Sequence, residues 1–442
     1  MKSLTIQALF DQQWHDIAIV NIAEPEKGNT GQCSLGYEMN YAIEWLDYDD
    51  EHACGLTLPV QVMIEHEAER WFGFLDDIVP AGAARRYLVD AWGLAGLSSG
   101  ELDSELLEKG TIAPVGNLRV KESLPKLPES STLHLRKFAV RDVVERDSDF
   151  LAYAQEMGAI SGGATGAGGE APKLLLRCSD NEEVWIDTFQ DQHTIADAHY
   201  LVKFPRGKHR TQDDCDILRA EYHFYQELAA MGFNTINTEG MRLIEGERYP
   251  SLWLPRFDTH WNGSVWERYG LESIFSVLHK PAGSYLNHFE VLRSVCALLA
   301  KRSATFDTQR FVCEWLARDL LNIAFGNTDN HGRNTALLKR PNDIWLSPIY
   351  DFAPMKVDPE GVTRTTKWGS PFEEGGEYRW HAITEELGDL CPSNISFSAL
   401  QNTAQKLVGL QDRLTERGVA ERILRVIQIE WLETKLTRWG LL

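Results

Sequence analysis

The sequence lacks three features that would each define a class of protein: paired cysteines, a long apolar run and an excess of basic residues. Seven cysteines are scattered over 442 residues without a Cys-x-x-Cys pair, which argues against a disulfide framework and against a zinc knuckle. No uncharged apolar run approaches the ~20 residues needed to cross a bilayer, and the N-terminus lacks the apolar core of a signal peptide. Lysine and arginine number 44 against 65 aspartates and glutamates, a net charge of −21, which disfavours broad binding to nucleic-acid phosphates. We therefore expect a reduced, cytoplasmic protein without a membrane segment.

The composition is that of an ordinary globular protein, with 43% hydrophobic, 25% charged and 10% aromatic residues. At a typical domain size of ~150 residues, the length suggests two or three domains. Residues 121–131 are rich in proline and polar side chains, which is typical of a linker or an exposed loop.

Apolar spacing predicts an α+β fold in which a β-rich part precedes a mainly helical part. Alternating residues near the N-terminus predict strands, and the pattern turns helical from Phe74. A helix over 213–231 is predicted by three- and four-residue apolar spacing and an acidic first turn, and a hairpin follows it. Further helices are predicted over 289–301, 311–325, 397–417 and 419–438.

A polar loop after the predicted helix 311–325 holds the most informative side chains. It reads Gly326-Asn-Thr-Asp-Asn-His-Gly-Arg-Asn334 and leads into a predicted hairpin centred at position 342.5. A ladder with that centre would bring Asn334 and Asp351 beside each other, about 5 Å apart. A converging amide oxygen and carboxylate suit Mg²⁺, and Asp329 can accept a proton from a hydroxyl. The five-residue spacing of Asp329 and Asn334 is typical of phosphoryl transfer by a protein kinase.

A glycine-rich segment and two lysines form a second candidate feature. Five glycines occur within residues 162–169, shortly before Lys173, and the free N–H groups of such a loop can wrap polyphosphate oxygens. Lys203 stands alone in an apolar predicted strand and should point into a cleft, because an unpaired buried ammonium is costly. Glu221 on the following helix is its natural partner.

Each of these features also has a simpler interpretation. Asp329 and Asn334 could merely close a loop, since both residue types are favoured in turns. The glycine run could be a flexible linker, and Lys203 could be a surface lysine on an edge strand.

In their order along the chain, these segments resemble the HipA family of bacterial serine/threonine kinases, the toxins of type II toxin–antitoxin systems. The family's catalytic Thr-Asp-x-His-x-x-Asn run is matched by Thr328-Asp-Asn-His-Gly-Arg-Asn334, and its metal-binding Tyr-Asp by Tyr350-Asp351. Its hinge is similar to Arg256-Phe-Asp258, and its N-terminal Phe-x-Asp-x-x-x-Pro segment to Phe74-Leu-Asp-Asp-Ile-Val-Pro80. The resemblance implies a two-lobed, protein-kinase-like α+β fold. It would comprise an N-terminal subdomain (1–120), a nucleotide-binding part with the glycine-rich loop (121–258) and a helical catalytic lobe (259–442).

The resemblance also implies a role for individual residues. Asp329 would be the catalytic base, Asn334 and Asp351 would hold the metal, and Glu221 would support Lys203. The residues expected to bind ATP are Gly168, Gly169, Glu170, Ala171, Pro172, Lys173, Lys203, Pro255, Arg256, Phe257, Asp258, His331, Asn334, Tyr350 and Asp351. Ser161 and Thr165 are the hydroxyls available for autophosphorylation before the glycine-rich loop.

The implied cofactors are ATP and Mg²⁺, and the implied substrate is a protein with a serine or threonine acceptor. Aminoacyl-tRNA synthetases are the known substrate class, and growth inhibition is the implied outcome. A HipB-like helix-turn-helix antitoxin is the implied partner, and DNA would be reached only through it.

Two other hypotheses stay open. The chain could be a catalytically weak kinase-fold module that serves as antitoxin partner or corepressor. It could also be a Mg²⁺-dependent nuclease built on Asp329, His331 and Asp351, although that chemistry requires carboxylates clustered for two metals. The nuclease hypothesis leaves the glycine-rich loop, Lys203 and the hinge unexplained.

Overall fold

The computed structural model describes residues 1–112, 115–124, 136–156, 173–187, 191–206, 211–302 and 306–442. The chain forms two compact units, each assembled from separate stretches of sequence. The first unit contains Met1–His209, Glu239–Ala282 and Thr335–Ser347, and the second contains Arg210–Thr238, Gly283–Asn334 and Pro348–Leu442. Among the described residues, no helix combines the length and apolar character needed to span a membrane. All seven cysteines carry free thiols.

The strands are numbered in chain order. They are β1 (Lys2–Phe10), β2 (Gln13–Ile22), β3 (Cys33–Tyr37), β4 (Glu65–Ala68), β5 (Leu118–Val120), β6 (Phe138–Ala139), β7 (Lys173–Cys178), β8 (Glu183–Trp185), β9 (Ala198–Lys203), β10 (Arg242–Glu245), β11 (Pro250–Pro255), β12 (Thr259–Trp261), β13 (Trp266–Arg268), β14 (Gly270–Ser273), β15 (Leu286–Asn287), β16 (Ala336–Arg340), β17 (Asp343–Leu346), β18 (Thr366–Lys367), β19 (Glu373–Glu374) and β20 (Glu377–Tyr378).

The α-helices are numbered in the same way. They are α1 (Met39–Glu44), α2 (Gly73–Ile78), α3 (Gly82–Ala91), α4 (Ser99–Gly110), α5 (Val140–Val144), α6 (Ser148–Glu156), α7 (Gln212–Ala230), α8 (Ile274–Val277), α9 (His288–Arg302), α10 (Thr308–Ala324), α11 (Trp380–Glu386), α12 (Ser393–Leu407), α13 (Leu410–Glu416), α14 (Glu421–Ile427) and α15 (Leu432–Arg438).

The first sheet of the first unit has the strand order β4-β3-β2-β1-β5, and its neighbouring strands are antiparallel. Leu4, Ile6 and Ala8 of β1 are buried, as the two-residue period of a half-buried strand predicts. Phe74 and Leu75 of α2 join the same hydrophobic core. The helical region predicted from Phe74 therefore covers this sheet.

The second sheet of the first unit has the order β10-β11-β9-β7-β8-β6, again with antiparallel neighbours. All six residues of β7 are buried, and its centre, Leu174–Leu176, is a continuous apolar run rather than an alternating pattern. Phe150 and Tyr153 of α6 pack with Trp253 of β11 in one core.

The first unit also contains the two-stranded sheet β12-β13 and the three-stranded sheet β14-β16-β17, which includes the hairpin predicted after the polar loop. The hairpin exists, but its predicted register is wrong. Leu337 pairs with Leu346, whereas a centre at 342.5 would have placed Leu337 opposite Pro348. Asn342 adopts a positive φ of 59°, so the turn closes earlier than the sequence pattern indicated.

The second unit is mainly helical, and α10 packs against α12 in it. The predicted helices 213–231, 289–301 and 311–325 correspond to α7, α9 and α10. α7 begins with a capping box between Thr211 and Asp214, which accounts for the acidic first turn.

Two helices that the sequence pattern predicts as continuous are each broken. The predicted helix 397–417 divides into α12 and α13 at Gly409, which has a φ of 72°. The predicted helix 419–438 divides into α14 and α15 at Gln428, which has a φ of 62°. A single left-handed residue interrupts each predicted helix, yet apolar residues are buried on both sides of it. They are Leu407 and Leu410 around Gly409, and Ile427 and Leu432 around Gln428.

We predict that the stability of the first unit depends on the protonation of Glu51. This residue is 7% exposed, and burial, followed by the charges of Asp50 and Asp11, raises the pKa of its carboxyl to about 8. An unfolded glutamate has a pKa of about 4.3, so between that pH and about 8 the folded chain holds an extra proton. The free energy of unfolding should therefore fall as pH rises through this window.

Urea unfolding of wild type and Glu51→Gln across this pH window tests the effect. The variant should lose this part of the pH dependence, a difference of more than about 1 kcal/mol. Glu44→Gln, at an exposed position in α1, serves as the matched control. Equal pH slopes in wild type and Glu51→Gln would contradict the prediction.

Candidate functional site

The polar loop 326–334 follows α10 in the second unit, and its first residue must be glycine. Gly326 has a φ of 65°, and a Cβ atom built on it would lie 2.5 Å from Cγ2 of Ile427. The chain therefore leaves α10 in a direction that other residues could not adopt without strain.

Two asparagines close the loop around Asp329. The backbone N–H of Asp329 donates to Oδ1 of Asn327 at 3.3 Å, and Asn327 in turn donates from Nδ2 to Oδ1 of Asn322 at 2.9 Å. Asn334 reaches back and donates from Nδ2 to the carbonyl oxygen of Asp329 at 2.7 Å. The five-residue spacing of Asp329 and Asn334 is thus the span of one closed turn.

The closure of the loop uses the side-chain nitrogen of Asn334 and does not involve the side-chain oxygen. Oδ1 of Asn334 is buried and has no hydrogen-bond partner within the described part of the chain. A buried amide oxygen without a donor costs free energy, so this atom is suited to a ligand such as a cation. Oγ1 of Thr328 is also buried without a hydrogen-bond partner among the described residues, and the sequence pattern gave no sign of this.

His331 lies beside the carboxylate of Asp329. Its Nε2 is 3.4 Å from Oδ1 of Asp329, and its Nδ1 accepts from the backbone N–H of Arg333 at 3.2 Å. Because Nδ1 is an acceptor, the neutral ring carries its proton on Nε2, facing Asp329. Burial lowers the pKa of His331, and the charges of Asp329 and Asp351 oppose that shift only in part. The imidazole is therefore neutral at neutral pH and orients Asp329.

Asp351 is positioned by residues on both sides of it. Tyr350 donates its hydroxyl proton to the carbonyl oxygen of Arg333, so the residues directly before Asn334 and Asp351 are in contact. Phe352 donates its backbone N–H to the hydroxyl of Tyr225 at 3.1 Å. Asp351 itself has a φ of 50°, and its charge reaches the ring of His331. A side chain–backbone contact, rather than the predicted hairpin ladder, links the two segments.

The metal ligands expected from the sequence are one amide and one carboxylate, Asn334 and Asp351. Among the described residues, no group of three or more His, Cys, Asp or Glu is arranged to hold a metal ion. The buried, unpartnered oxygen of Asn334 nevertheless fits a cation that is completed by other oxygen ligands.

In the first unit, Lys173 and Lys203 lie directly opposite each other. They are Cα partners in the antiparallel pair β7–β9, and their exposed fractions are 5% and 3%. Residues directly opposite each other in an antiparallel pair place their side chains on the same face of the sheet, so both lysines belong to one face of this sheet. Glu221 belongs to the second unit, where its Oε1 accepts from the hydroxyl of Tyr225 at 3.0 Å. Its pairing with Lys203 stays a prediction.

The predicted hinge follows β11. After Pro255, the backbone N–H of Arg256 donates to the carbonyl oxygen of His199 at 3.0 Å. Asp258 is 1% exposed, and its carboxylate accepts two bonds from Arg256 and one from the N–H of Gly116 at 2.7 Å. Asp258 therefore ties the hinge to the segment before β5. Contacts of this hinge with a ribose or an adenine stay predictions.

The other predicted site residues lie outside the described residues. They are Gly168, Gly169, Glu170, Ala171 and Pro172 of the glycine-rich loop, and the hydroxyl-bearing Ser161 and Thr165.

Comparison with known proteins adds to this geometry. A family model described as the HipA-like C-terminal domain matches residues 165–425, more than half of the chain. The structure is similar to HipA of Shewanella oneidensis MR-1, solved with HipB and its operator DNA. The TM-score is 0.65 and the identity 17%, and the match covers 98% of this chain and 97% of that chain. At this identity the likeness shows a common fold.

A more distant likeness links the chain to the proinflammatory kinase CtkA of Helicobacter pylori. Its TM-score is 0.37 and its identity 13%, over 61% of this chain and 89% of that chain. A search of curated proteins found no match. The α+β fold class and the family resemblance predicted from the sequence are both confirmed.

We predict that the hydroxyl of Tyr225 stabilises the segment around Asp351. Burial raises the pKa of Tyr225, so its hydroxyl stays protonated and serves both Phe352 and Glu221. Tyr225→Phe leaves the buried N–H of Phe352 without this acceptor and should lower the free energy of unfolding by about 1–3 kcal/mol. Tyr222→Phe, at a half-buried position of the same helix, is the control, and urea unfolding measures both. Equal losses in the two variants would argue against the prediction.

Proposed function

Because this chain belongs to the HipA-like family, we propose that it is an ATP-dependent protein kinase that phosphorylates serine or threonine in a protein substrate. The observation that carries the proposal is the closed loop of the second unit. It combines a carboxylate oriented by a neutral imidazole, at Asp329 and His331, with a buried and unpartnered amide oxygen at Asn334. Protein kinases use this combination of base and metal-holding asparagine at the same spacing.

Asp329 is the proposed base. The N–H of His331 faces Oδ1 of Asp329 at 3.4 Å, and the carboxylate would take the proton of the acceptor hydroxyl. The hydroxyl oxygen forms a bond to the γ-phosphorus of ATP, the bond between that phosphorus and the β,γ-bridging oxygen breaks, and the hydroxyl proton moves to Asp329. ADP and a phosphoserine or phosphothreonine are the products. Positioning and charge stabilisation supply most of the rate enhancement in this chemistry.

Asn334 and Asp351 are the residues that would hold Mg²⁺. Mg²⁺ held by these two residues would neutralise negative charge on the phosphates. The contact between Tyr350 and Arg333 supports this role, because it connects the two segments that carry the ligands.

The first unit would bind the rest of the nucleotide. Lys173 and Lys203 would supply positive charge for the phosphates, together with the glycine-rich loop 168–172. Pro255 and Phe257 would frame the adenine, with Asp258 nearest the ribose. The cross-strand pairing of the two lysines supports this assignment, because it places both side chains on the same face of the sheet.

A small helix-turn-helix antitoxin is the proposed protein partner. The similar HipA of Shewanella oneidensis was solved with HipB and its operator DNA. We extend this arrangement to the present chain, with DNA contacted through the antitoxin, because a net charge of −21 disfavours direct binding to phosphates. Phosphorylation of a translation component would then inhibit growth.

Substitution of the two aspartates should abolish phosphoryl transfer. Asp329→Asn removes the base and should lower the rate by on the order of 10²–10⁴-fold while ATP still binds. Asp351→Asn removes a negative metal ligand and should lower both the rate and the Mg²⁺-dependence of ATP binding. Transfer of γ-labelled phosphate from ATP to proteins of a bacterial extract measures the rate, and calorimetry measures binding.

Asp343→Asn provides the matched control, because Asp343 is the first residue of β17 and pairs with Arg340 at the surface. It should label proteins as well as wild type does. Wild-type activity in Asp329→Asn would refute the kinase proposal. Wild-type protein that binds ATP but labels nothing would favour the corepressor hypothesis instead.

Lys203 should contribute to ATP affinity rather than to protein stability alone. Lys203→Met removes a charged donor from the phosphates, so the dissociation constant for ATP should rise roughly 10-fold. Lys121→Met is the control, because Lys121 is exposed and pairs with Asp16. Unchanged ATP affinity in folded Lys203→Met would remove Lys203 from the proposed site.

A further inference from the structure

The carboxylate of Asp319 is buried on the apolar side of α10, the helix that directly precedes the proposed catalytic loop. Asp319 is 2% exposed, and its sequence neighbours Trp315, Leu316 and Leu320 on the same helix are also buried. A carboxylate at such a position is costly unless hydrogen bonds and opposite charges compensate it. Asp319 therefore requires hydrogen-bond donors and positive charges around its carboxylate.

Asp319 binds side chains from three other segments of the second unit. Its Oδ1 accepts from Nδ2 of Asn330 at 3.2 Å and from the guanidinium of Arg364 at 2.7 Å. Its Oδ2 accepts from the indole N–H of Trp368 at 2.8 Å, and Nε2 of His288 lies 3.5 Å from Oδ1. One carboxylate thus joins α10 to the proposed catalytic loop, to the segment 364–368 and to the start of α9.

Asn330 is the member of this cluster that reaches the site. It stands between Asp329 and His331 and is 9% exposed. Its carbonyl oxygen accepts from the backbone N–H groups of Thr365 and Thr366 at 3.3 and 3.1 Å. Asn330 is therefore held through its side chain by Asp319 and through its backbone by the segment that also supplies Arg364.

We propose that Asp319 is a positioning residue that fixes Asp329 and His331 in their reactive geometry by anchoring Asn330. The inference rests on the proposed kinase function. Asp319 touches neither substrate nor nucleotide in this scheme and acts only through Asn330.

The geometry favours positioning over a purely stabilising role. A buried ion pair contributes little net stability compared with apolar packing of the same volume, so its distinctive effect is the direction it imposes on its partners. Burial alone would raise the pKa of Asp319, but the charges of Arg364 and His288 outweigh it and lower that pKa. The carboxylate is ionised throughout the range in which the enzyme would work, and it remains an acceptor for Asn330.

The central test is Asn330→Ala, which removes the side-chain contact with Asp319 and leaves Asp319, Arg364 and Trp368 in place. The turnover number for labelling extract proteins from γ-labelled ATP should fall by on the order of 10²-fold, because a small misplacement of a reacting group can reduce the rate by that factor. The KM for ATP and its calorimetric dissociation constant should be unchanged. Hydrogen exchange of the amides in 326–334 should become faster.

Asp319→Asn tests the same contact from the other side. In asparagine an NH₂ group replaces one of the two carboxylate oxygens. That donor then faces the donors Asn330 and Arg364 in one orientation of the amide, or the donor Trp368 in the other. The same selective loss of turnover is expected. Glu227→Gln is the matched control, because Glu227 is 1% exposed and pairs with Arg413 and Arg417, outside the loop. It should lower the melting temperature without lowering the turnover of the folded protein.

The outcomes separate the two proposals. If wild type transfers no phosphate, the kinase function fails, and hydrogen exchange alone then decides whether Asp319 holds the loop. If wild type is active and Asn330→Ala turns over equally fast with unchanged loop exchange, the positioning role is refuted. It is also refuted if Glu227→Gln loses turnover to the same extent, because the effect would then follow stability alone.

Discussion

The candidate site in the second unit depends on one short loop closure, the hydrogen bond from the side-chain amide of Asn334 to the carbonyl oxygen of Asp329. It uses the nitrogen of the side chain and leaves the oxygen buried without a donor in the described structure. The same closure places His331 inside the turn, where its ring faces the Asp329 carboxylate. The six residues 329–334 thereby present an oriented carboxylate and an unsatisfied amide oxygen together.

The surrounding elements limit how this loop can move. Gly326 sets its entry against Ile427, and the Tyr350 hydroxyl holds the carbonyl of Arg333 near its end. In the middle, Asn330 is held by Asp319 and by the backbone of Thr365 and Thr366. Restraints at the start, middle and end of a short segment make it rigid, and rigid positioning is what general acid–base chemistry requires.

In the first unit, strand pairing brings two buried lysines together. Lys173 and Lys203 are brought together by the register of β7 and β9, although 29 residues separate them in the printed sequence. In the sequence, Lys173 stands out because it follows the glycine-rich segment, and Lys203 because it lies in an apolar predicted strand. Their direct opposition is a property of strand pairing, which depends on a register that the local pattern leaves open.

Local physical chemistry accounts for what the sequence alone determined. The α+β class, helices α7, α9 and α10, and the Asp329–Asn334 spacing follow from apolar period, capping residues and turn chemistry, all of which act over a few residues. The hairpin register, the breaks at Gly409 and Gln428, the contact of Tyr350 with Arg333 and the role of Asp319 required the tertiary structure. Each of these depends on which distant groups share a buried space, since a left-handed residue or a buried carboxylate is stable only when remote neighbours compensate it. The spacing of Asp319 and Arg364 along the chain does not predict that the two residues are in contact.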